Sequence, residues 1–351
     1  DVGWFADCVL GPAPTDPPSL RLDLRDVTAA DLEGFDAVIH LAALSNDPLG
    51  HLAPEITYDI NHAASVRLAR LAKQAGVGRF LYSSTCSVYG AAGDGLVTED
   101  ADLAPVTPYA ISKVRVEKDL DELTGADFCT VSLRNATAFG FSPRLRADIV
   151  LNNLVGHALL TGQVLVLSDG TPWRPLVHAA DIAEVFTAAL TAPADEVRGE
   201  KINVGTEANN VTVAEIAEVV AAETGAAVRI TGEAGNDPRS YRVDFSRLRR
   251  LLPGANVRRS IADGARELVA AYRDHGMTED LFTHRFVRLA RRGWRGRGHG
   301  VDLGPHPAGH QPGIPVVRHA LRIRADRHDQ PTCCERYKGL PADSGRSGSR
   351  A

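Results

Sequence analysis

Short apolar segments alternate with amphipathic helical patterns from residue 19 to residue 205, and this alternation limits the possible fold more than any other feature of the chain. Helical stretches such as 54–75 and 114–123 carry apolar side chains at three- and four-residue steps. Between them lie short apolar runs closed by polar or small residues, as in buried strands. The expected strands are 19–23, 37–43, 79–84 and 127–133. Strands and helices at this spacing predict βαβ crossovers and a parallel, doubly wound α/β sheet.

The pattern becomes less regular after residue 140, which predicts a second, smaller α/β unit. The expected helices here are 148–160, 182–190, 213–223 and 261–272, and the expected strands are 164–167, 201–205 and 227–231. Asp181 is expected to cap the second of these helices, and Thr212 with Glu215 forms a capping box before the third. We therefore expect a first domain over residues 1–145 and a second mainly over 146–290, with 175–205 returning to the first.

The charge of the chain is unevenly distributed. Residues 291–351 hold 12 Lys or Arg against 5 Asp or Glu, so residues 1–290 carry −12 within a total of −5. A basic, Gly-rich tail can bind nucleic acid, but its aromatic residues do not interleave with its charges as in a single-strand-binding platform. We expect residues 291–351 to be a disordered or frameshifted tail, and the acidic remainder to bind no nucleic acid.

The five cysteines are odd in number and include no C-x-x-C pair. This favours reduced thiols of a cytoplasmic protein over a disulfide framework or a metal site. No apolar run approaches about 18 residues, and no charged-then-apolar signal segment opens the chain. We expect a cytoplasmic protein with no metal and no membrane partner.

The strongest candidate for chemistry is the pair Tyr109 and Lys113. Thr107 and Pro108 precede the pair as N-cap and first helical residue. Residues four apart lie on one helix face, with about 6 Å between their Cβ atoms. An adjacent ammonium stabilises a phenolate, so the tyrosine can act as a base near neutral pH. The alternative is an ordinary i,i+4 pair on a solvent-exposed helix, because this spacing often arises by chance.

Hydroxyl side chains close the expected strand at residues 79–84, and Thr85 follows directly. Doubly wound sheets bind their ligands at the carboxyl ends of the strands. Thr85 is therefore a candidate to hydrogen-bond a reacting hydroxyl or carbonyl. The alternative is ordinary turn chemistry at a strand end.

These residues together resemble the extended short-chain dehydrogenase/reductases, in particular the NAD-dependent nucleotide-sugar epimerase/dehydratase family. The resemblance covers residues 1–290 and implies a Rossmann-like doubly wound parallel sheet with a smaller α/β substrate-binding domain. It implies a catalytic triad of Thr85, Tyr109 and Lys113, with NAD expected as the cofactor in preference to NADP. The cofactor-binding residues implied are Asp1, Asp23, Leu24, Leu41, Ala42, Ala43, Asn61, Tyr109 and Lys113.

The resemblance also implies a nucleoside-diphosphate sugar as the substrate. Arg174 and Arg239 resemble the family arginines that hold the diphosphate, a task that suits a planar guanidinium. The substrate-binding residues implied are Thr85, Thr137, Asn153, Arg174 and Arg239.

Four departures from the family pattern qualify these expectations. The Gly-rich turn that binds the cofactor pyrophosphate is absent, and Asp1 falls near the end of the family's second strand, so the first βαβ unit is expected to be missing. Cys86 and Ser87 stand where family dehydratases carry an Asp-Glu pair. Thr137 replaces the usual substrate-contacting asparagine, and Pro175 replaces the aspartate that follows the phosphate-binding arginine.

The intact triad with the lost Asp-Glu pair favours a nucleotide-sugar epimerase that transiently oxidises sugar C4, with Tyr109 as the base. The alternatives are a 4,6-dehydratase or 4-ketoreductase of the same family, or a non-catalytic NAD or nucleotide-sugar sensor. A further alternative is that the chain is inactive because its pyrophosphate-binding element is missing. The resemblance implies a homodimer formed through the helices near residues 54–75 and 107–124.

Overall fold

The computed structural model describes residues 3, 5–15, 17–45, 53–233 and 239–287. The strands in these residues are β1 (Ala37–His40), β2 (Arg79–Thr85), β3 (Ala91–Val97), β4 (Cys129–Asn135), β5 (Thr137–Phe139), β6 (Gln163–Val166), β7 (Trp173–His178), β8 (Lys201–Val204), β9 (Asn210–Thr212), β10 (Ala227–Ile230) and β11 (Ser240–Val243). The α-helices are α1 (Pro54–Tyr58), α2 (Ala64–Gln74), α3 (Pro108–Leu123), α4 (Val150–Thr161), α5 (Ala179–Thr191), α6 (Ala194–Val197), α7 (Val213–Thr224), α8 (Ser246–Leu251) and α9 (Ile261–Asp274). A π-helical turn (Asp59–Ala63) joins α1 to α2, and a second (Leu281–Arg285) follows α9.

Four parallel strands form the main sheet in the order β1-β2-β4-β8. Side chains alternate along β2, so Phe80 and Tyr82 join the core beneath α2 and α3, whereas Leu81 joins the core that includes α5. Both faces of the sheet are therefore covered, as in a doubly wound sheet. This confirms the expected α/β class.

A separate core forms around α4, α7 and α9. It is lined by Phe139, Leu151, Ile216 and Leu268, all of them inaccessible to solvent. Strands β6 and β10 pair in parallel beside it. The smaller α/β unit expected from the sequence thus has its own apolar core, while the exact division at residues 145 and 146 stays a prediction.

Three further pairings connect the sheets to the residues that follow them. β5 pairs with β7 in parallel, β7 pairs with β9 antiparallel, and β3 pairs with β11 in parallel. The last of these places Ser240 opposite Ala91, just beyond the carboxyl end of β2. As a result, residues near 240 lie beside the end of the main sheet.

Two local predictions were wrong. Residues 19–23 form no strand, because they pair with no neighbouring strand in the described part of the chain; Asp23 instead caps a 3₁₀ turn (Leu24–Asp26). The N-cap of α5 is His178 and not Asp181. The buried carboxylate of Asp181 accepts the backbone N–H groups of Arg258 and Arg259 at 3.0 and 2.9 Å, so it is not available as a cap.

Gly140, directly after β5, provides a test of the packing around His178. Its φ is +104°, and a Cβ on it would lie 2.3 Å from Nε2 of His178. We expect Gly140→Ala to lower the free energy of unfolding by about 1–3 kcal/mol more than Gly162→Ala. Gly162 also has positive φ, +73°, but a Cβ there meets nothing within 4 Å, so its alanine variant carries strain at positive φ without displacing a ring. Urea denaturation of the two variants measures the difference. Equal losses of unfolding free energy would contradict the close packing of Gly140 against His178.

Candidate active site

Helix α3 presents Tyr109 and Lys113 at the carboxyl end of the main sheet. Thr107 begins the helix as predicted, because its Oγ1 accepts the backbone N–H of Ala110 at 3.1 Å and Pro108 occupies the first helical position. α3 packs against β2 and against the 3₁₀ turn that follows it (Cys86–Tyr89). The local signals in the sequence therefore set where the helix begins, and its packing against β2 brings the pair near the end of that strand.

Lys113 is buried, with only 2% of its surface exposed. Its Nζ donates a hydrogen bond to the carbonyl of Ser83 at 2.6 Å and lies 5.4 Å from the ring centroid of Tyr109. Burial lowers the pKa of Lys113 to about 7, although the nearby charge of Glu117 acts in the opposite direction. This arrangement differs from an ordinary exposed i,i+4 pair, because the ammonium lies in the protein interior beside the phenol ring.

Thr85 is the last residue of β2 and is paired with Asn135 in the register of β2 and β4. Its Oγ1 accepts the backbone N–H of Ser87 at 3.1 Å, which caps the 3₁₀ turn. The hydroxyl hydrogen is not used in that bond, so it is available for donation to a ligand oxygen. The structure therefore shows the turn interpretation of Thr85, while its contact with a reacting oxygen stays a prediction.

Cys86 and Ser87 occupy the positions of the missing Asp-Glu pair. The thiol of Cys86 is buried and donates to the carbonyl of Arg134 at 3.0 Å. Burial raises the pKa of Cys86. Ser87 interacts through its side chain with the buried hydroxyl of Tyr241. Neither side chain can act as an acid-base group at neutral pH in this arrangement.

Four of the expected cofactor-binding residues lie at or beside the carboxyl end of β1. Leu41, Ala42 and Ala43 follow β1 directly, and Leu41 is 61% exposed. Asn61 fixes the backbone of Leu44, the residue after Ala43. Its side-chain amide accepts the backbone N–H of Leu44 at 2.7 Å and donates to the Leu44 carbonyl at 3.1 Å. Asn61 sits in the π-helical turn, a distortion that often marks functional sites.

Asp23 and Leu24 lie at the turn before β1. Asp23 accepts hydrogen bonds from the backbone and side chain of Arg25, and Arg25 also pairs with Asp59 at 3.0 Å. This ion pair ties the turn to the π-helical segment that carries Asn61. Asp1, the remaining residue expected near the cofactor, lies outside the described residues, as does the tail at 291–351.

Of the expected substrate-binding residues, Arg174 and Arg239 are brought together. Nη1 of Arg174 donates to the carbonyls of Trp173 and Arg239, the first at 2.9 Å. Asn153 lies in the first turn of α4, where its amide donates to the carbonyl of Ala147 at 3.0 Å. Thr137 begins β5, two residues beyond Asn135. Their roles in binding stay predictions.

Sequence reasoning did not single out Tyr82 or Asn135, which lie close to the expected triad. Tyr82 lies with its ring 4.6 Å from Nζ of Lys113, and His40 stacks on Tyr82 with 5.7 Å between ring centroids. Asn135 donates to Oγ of Ser83 at 3.0 Å, while its own Oδ1 is buried without a hydrogen-bond partner. The sequence does contain a signal for Tyr82 and Asn135, since both belong to strands that end at the site.

The buried His40 makes the stability of this region depend on pH. Burial, and then the charge of Lys113, lower the pKa of His40 to about 3. Below about pH 6.5 the unfolded chain therefore binds a proton that the folded chain does not, so this residue makes unfolding easier as the pH falls from 6.5 towards 3. We expect His40→Gln to reduce the slope of unfolding free energy against pH by about 1.4 kcal/mol per pH unit between pH 6 and 4.

Urea denaturation at half-unit pH steps measures this slope. Between pH 7 and 8 the unfolding free energies of the unchanged protein and of His40→Gln should change with pH in parallel. His40 is neutral there in both the folded and the unfolded chain. Equal slopes for the two proteins below pH 6 would contradict the prediction.

Within the described ranges, no three His, Cys, Asp or Glu side chains lie close enough together to hold a metal ion. In the same residues, no helix has both the length and the apolar character needed to span a membrane. Cys8, Cys86 and Cys129 are free thiols, and all three are buried.

A parallel doubly wound sheet with a Tyr-x-x-x-Lys helix beside a strand-end threonine defines the class of the short-chain dehydrogenase/reductases. Within that class, the sequence profile of the NAD dependent epimerase/dehydratase family matches residues 15–205, more than half of the chain. The chain belongs to this family. The resemblance expected from the sequence is thereby confirmed.

Known relatives include enzymes of more than one activity. The chain is 29% identical over 231 residues to an uncharacterized UDP-glucose epimerase, YtcB, of Bacillus subtilis (strain 168), a match that covers 64% of this chain and 70% of that protein. It is 28% identical over 270 residues to the dTDP-glucose 4,6-dehydratase of Streptomyces griseus, covering 74% of this chain and 79% of that protein. The structure of MoeE5 in complex with UDP-glucose and NAD is similar with a TM-score of 0.65 and 27% identity, covering 74% of this chain and 86% of that chain.

Proposed function

We propose that this protein is an NAD-dependent nucleotide-sugar epimerase that acts at C4 of the sugar. The observation that carries the proposal is the contrast between two adjacent sets of residues. Tyr109 and the buried Lys113 stand together on a helix that packs against β2, the strand that Thr85 ends. At the dehydratase positions, the Cys86 thiol is turned inward onto a backbone carbonyl.

The residues at the end of β1 and on α3 suit NAD. Among the described residues, Nζ of Lys113 donates one hydrogen bond, to Ser83, so it retains N–H groups that match the acceptor oxygens of a ribose. Leu41, Ala42 and Ala43 offer an apolar, partly exposed surface at the carboxyl end of a parallel strand, where nucleotides bind in such sheets. The cofactor residues proposed are Asp1, Asp23, Leu24, Leu41, Ala42, Ala43, Asn61, Tyr109 and Lys113.

The catalytic roles follow from the donors and acceptors of each side chain. NAD, when bound, supplies a reversible hydride acceptor at the sugar carbon. Tyr109, as the phenolate, takes the proton of the C4 hydroxyl and later returns it to the same oxygen. Lys113 stabilises the phenolate through its positive charge, and Thr85 donates its free hydroxyl hydrogen to the reacting oxygen. Rotation of the keto sugar between the two proton transfers inverts C4.

Inversion at C4 requires a firm hold on the diphosphate and a loose hold on the sugar. Arg174 and Arg239 meet at one place in the fold and are both cations suited to phosphate. We propose that they bind the diphosphate together with Asn153, while Thr85 and Thr137 face the sugar. Thr137 offers only a short hydroxyl side chain, which is consistent with a loose contact.

A dehydratase would need two further groups. Loss of water across C5 and C6 requires a base to take the C5 proton and an acid to protonate the departing C6 hydroxyl. Because the pKa of Cys86 is raised and its thiol is bonded to a carbonyl, it supplies neither function. We therefore place the dehydratase second.

The test is to incubate the full chain with NAD and UDP-glucose or dTDP-glucose in D₂O and to analyse the sugar products by NMR. We expect the C4 epimer with no deuterium on carbon, because the hydrogen that leaves C4 returns to it. A 4-keto-6-deoxy sugar that carries solvent deuterium would overturn the proposal in favour of a dehydratase. Tight binding of both ligands without any product would favour a sensor.

We also propose that the protein forms a homodimer through the helices near residues 54–75 and 107–124, and that it is located in the cytoplasm. Light scattering of the purified chain would measure the first.

A further inference from the structure

The ammonium of Lys113 is buried without a carboxylate bonded to it in the described part of the chain. Glu117, one turn later on α3, directs its carboxylate to Arg134 and to Ser84. Among the residues that the structure describes, Nζ of Lys113 donates one hydrogen bond, to the neutral carbonyl of Ser83. A buried charge is costly unless something compensates it.

The face of the Tyr82 ring is the other group in contact with this charge. Nζ lies 4.6 Å from the ring centroid of Tyr82, closer than the 5.4 Å to Tyr109. The Tyr82 ring is inaccessible to solvent, so water does not weaken the attraction between the cation and the ring. His40 stacks on Tyr82 and accordingly limits its movement.

We propose that Tyr82 is a positioning residue whose ring face keeps Lys113 charged and directed at Tyr109. The inference rests on the proposed role of Lys113 in catalysis. The residue acts through Lys113 and is not proposed to touch the substrate.

The hydroxyl of Tyr82 is not part of this function. It is buried, and it has no hydrogen-bond partner among the residues that the structure describes. An unsatisfied buried hydroxyl is destabilising, so its retention gives no stability that phenylalanine would lack. Tyr82→Phe is therefore the matched control, since it keeps the ring and removes only the orphaned oxygen.

The groups that face Lys113 come from three elements. α3 contributes Tyr109 and Glu117, β2 contributes Tyr82 and the carbonyl of Ser83, and β1 contributes His40. The His40 ring is neutral above about pH 3, so it does not compete as a second cation near neutral pH. Glu117 favours the charged lysine. A change at Tyr82 alone leaves the other four groups unaltered in chemistry.

The experiment measures the pKa of Lys113 directly by NMR of ¹³Cε-labelled lysine in the full chain. The sequence contains five lysines, and the signal lost in Lys113→Met assigns the one of interest. Burial brings the pKa of Lys113 to about 7, within an accessible range. Tyr82 is replaced by phenylalanine, by 3,4,5-trifluorophenylalanine and by leucine; the fluorinated ring keeps the shape but loses the negative face.

We expect phenylalanine to leave the pKa of Lys113 unchanged, and the fluorinated ring and leucine to lower it by about one pH unit, a tenfold change. Equal pKa values of Lys113 in the phenylalanine and trifluorophenylalanine proteins would overturn the proposal, because the main difference between the two rings is the charge on their faces. This comparison holds even if the leucine variant does not fold.

A second measurement separates this proposal from the proposed function. If Lys113 must be charged for epimerisation, the alkaline limb of the pH–rate profile moves down with the NMR pKa in the fluorinated protein. If the pKa of Lys113 measured by NMR falls but the alkaline limb of the pH–rate profile stays where it is, the result supports the role of Tyr82 in keeping Lys113 charged. The same result rejects the role of Lys113 in turnover. A purely structural role for Tyr82 would move neither.

Discussion

Replacing Tyr109 with phenylalanine is expected to lower the turnover of a nucleotide sugar by about 10²–10⁴-fold, while leaving its dissociation constant unchanged within about twofold. The change removes one hydroxyl and keeps the ring that lies 5.4 Å from Nζ of Lys113. The proton acceptor for the C4 hydroxyl is thereby lost, and the packing at the start of α3 is retained. Product formation by NMR and ligand binding by calorimetry measure the two quantities separately.

Tyr58→Phe is the matched control for this variant. Tyr58 also has a cation over its ring, since the guanidinium of Arg115 lies 4.4 Å from its centroid. It stands at the end of α1 and outside the proposed catalytic groups. Turnover of this variant should equal that of the unchanged protein. A Tyr109→Phe protein that turns over substrate as fast as the control would reject Tyr109 as the base. Ligand binding without turnover in the unchanged protein would favour a binding protein.

The active-site helix could be predicted from the sequence because its signals are local. Thr107 and Pro108 mark its start, and the spacing of Tyr109 and Lys113 places them on one face whatever the rest of the chain does. The main strands were likewise predicted, because a buried parallel strand is a continuous apolar run.

Long-range pairing could not be predicted. β3 and β11 pair although about 150 residues separate them, and β5 and β9 have three residues each, too few for a periodic pattern. The segment at 19–23 shows the opposite error, since it was predicted as a strand but pairs with no strand among the residues that the structure describes.

The contacts within the candidate site could not be predicted from local sequence patterns either. The groups that hold Lys113 are a backbone carbonyl and a ring face on β2, and neither is visible in a residue pattern. Asp181 has the residue type of an N-cap, yet its carboxylate binds backbone groups 77 and 78 residues away and His178 takes the capping role. Such assignments depend on which groups the fold brings near.

The salt bridge between Arg134 and Glu117 fixes α3 against the sheet. Both side chains are buried, with 4% and 3% of their surface exposed, and Nη2 of Arg134 lies 2.7 Å from Oε2 of Glu117. Glu117 also accepts the hydroxyl of Ser84, and Arg134 donates to Tyr89. Because Glu117 lies one turn after Lys113 on the same face of α3, this network sets the position of the catalytic pair.

Arg134→Leu is therefore expected to lower the free energy of unfolding by about 3–5 kcal/mol, because it leaves the carboxylate of Glu117 buried and unpaired. Arg266→Leu, which removes an exposed arginine paired with Glu223 and Asp263, should cost less than about 1 kcal/mol. The double variant Arg134→Met with Glu117→Met should recover much of the loss, since no unpaired charge remains. Urea denaturation of the three proteins measures these differences. A single Arg134 variant as stable as the Arg266 control would show that the pair does not hold α3 in place, and the position of Lys113 would then need another cause.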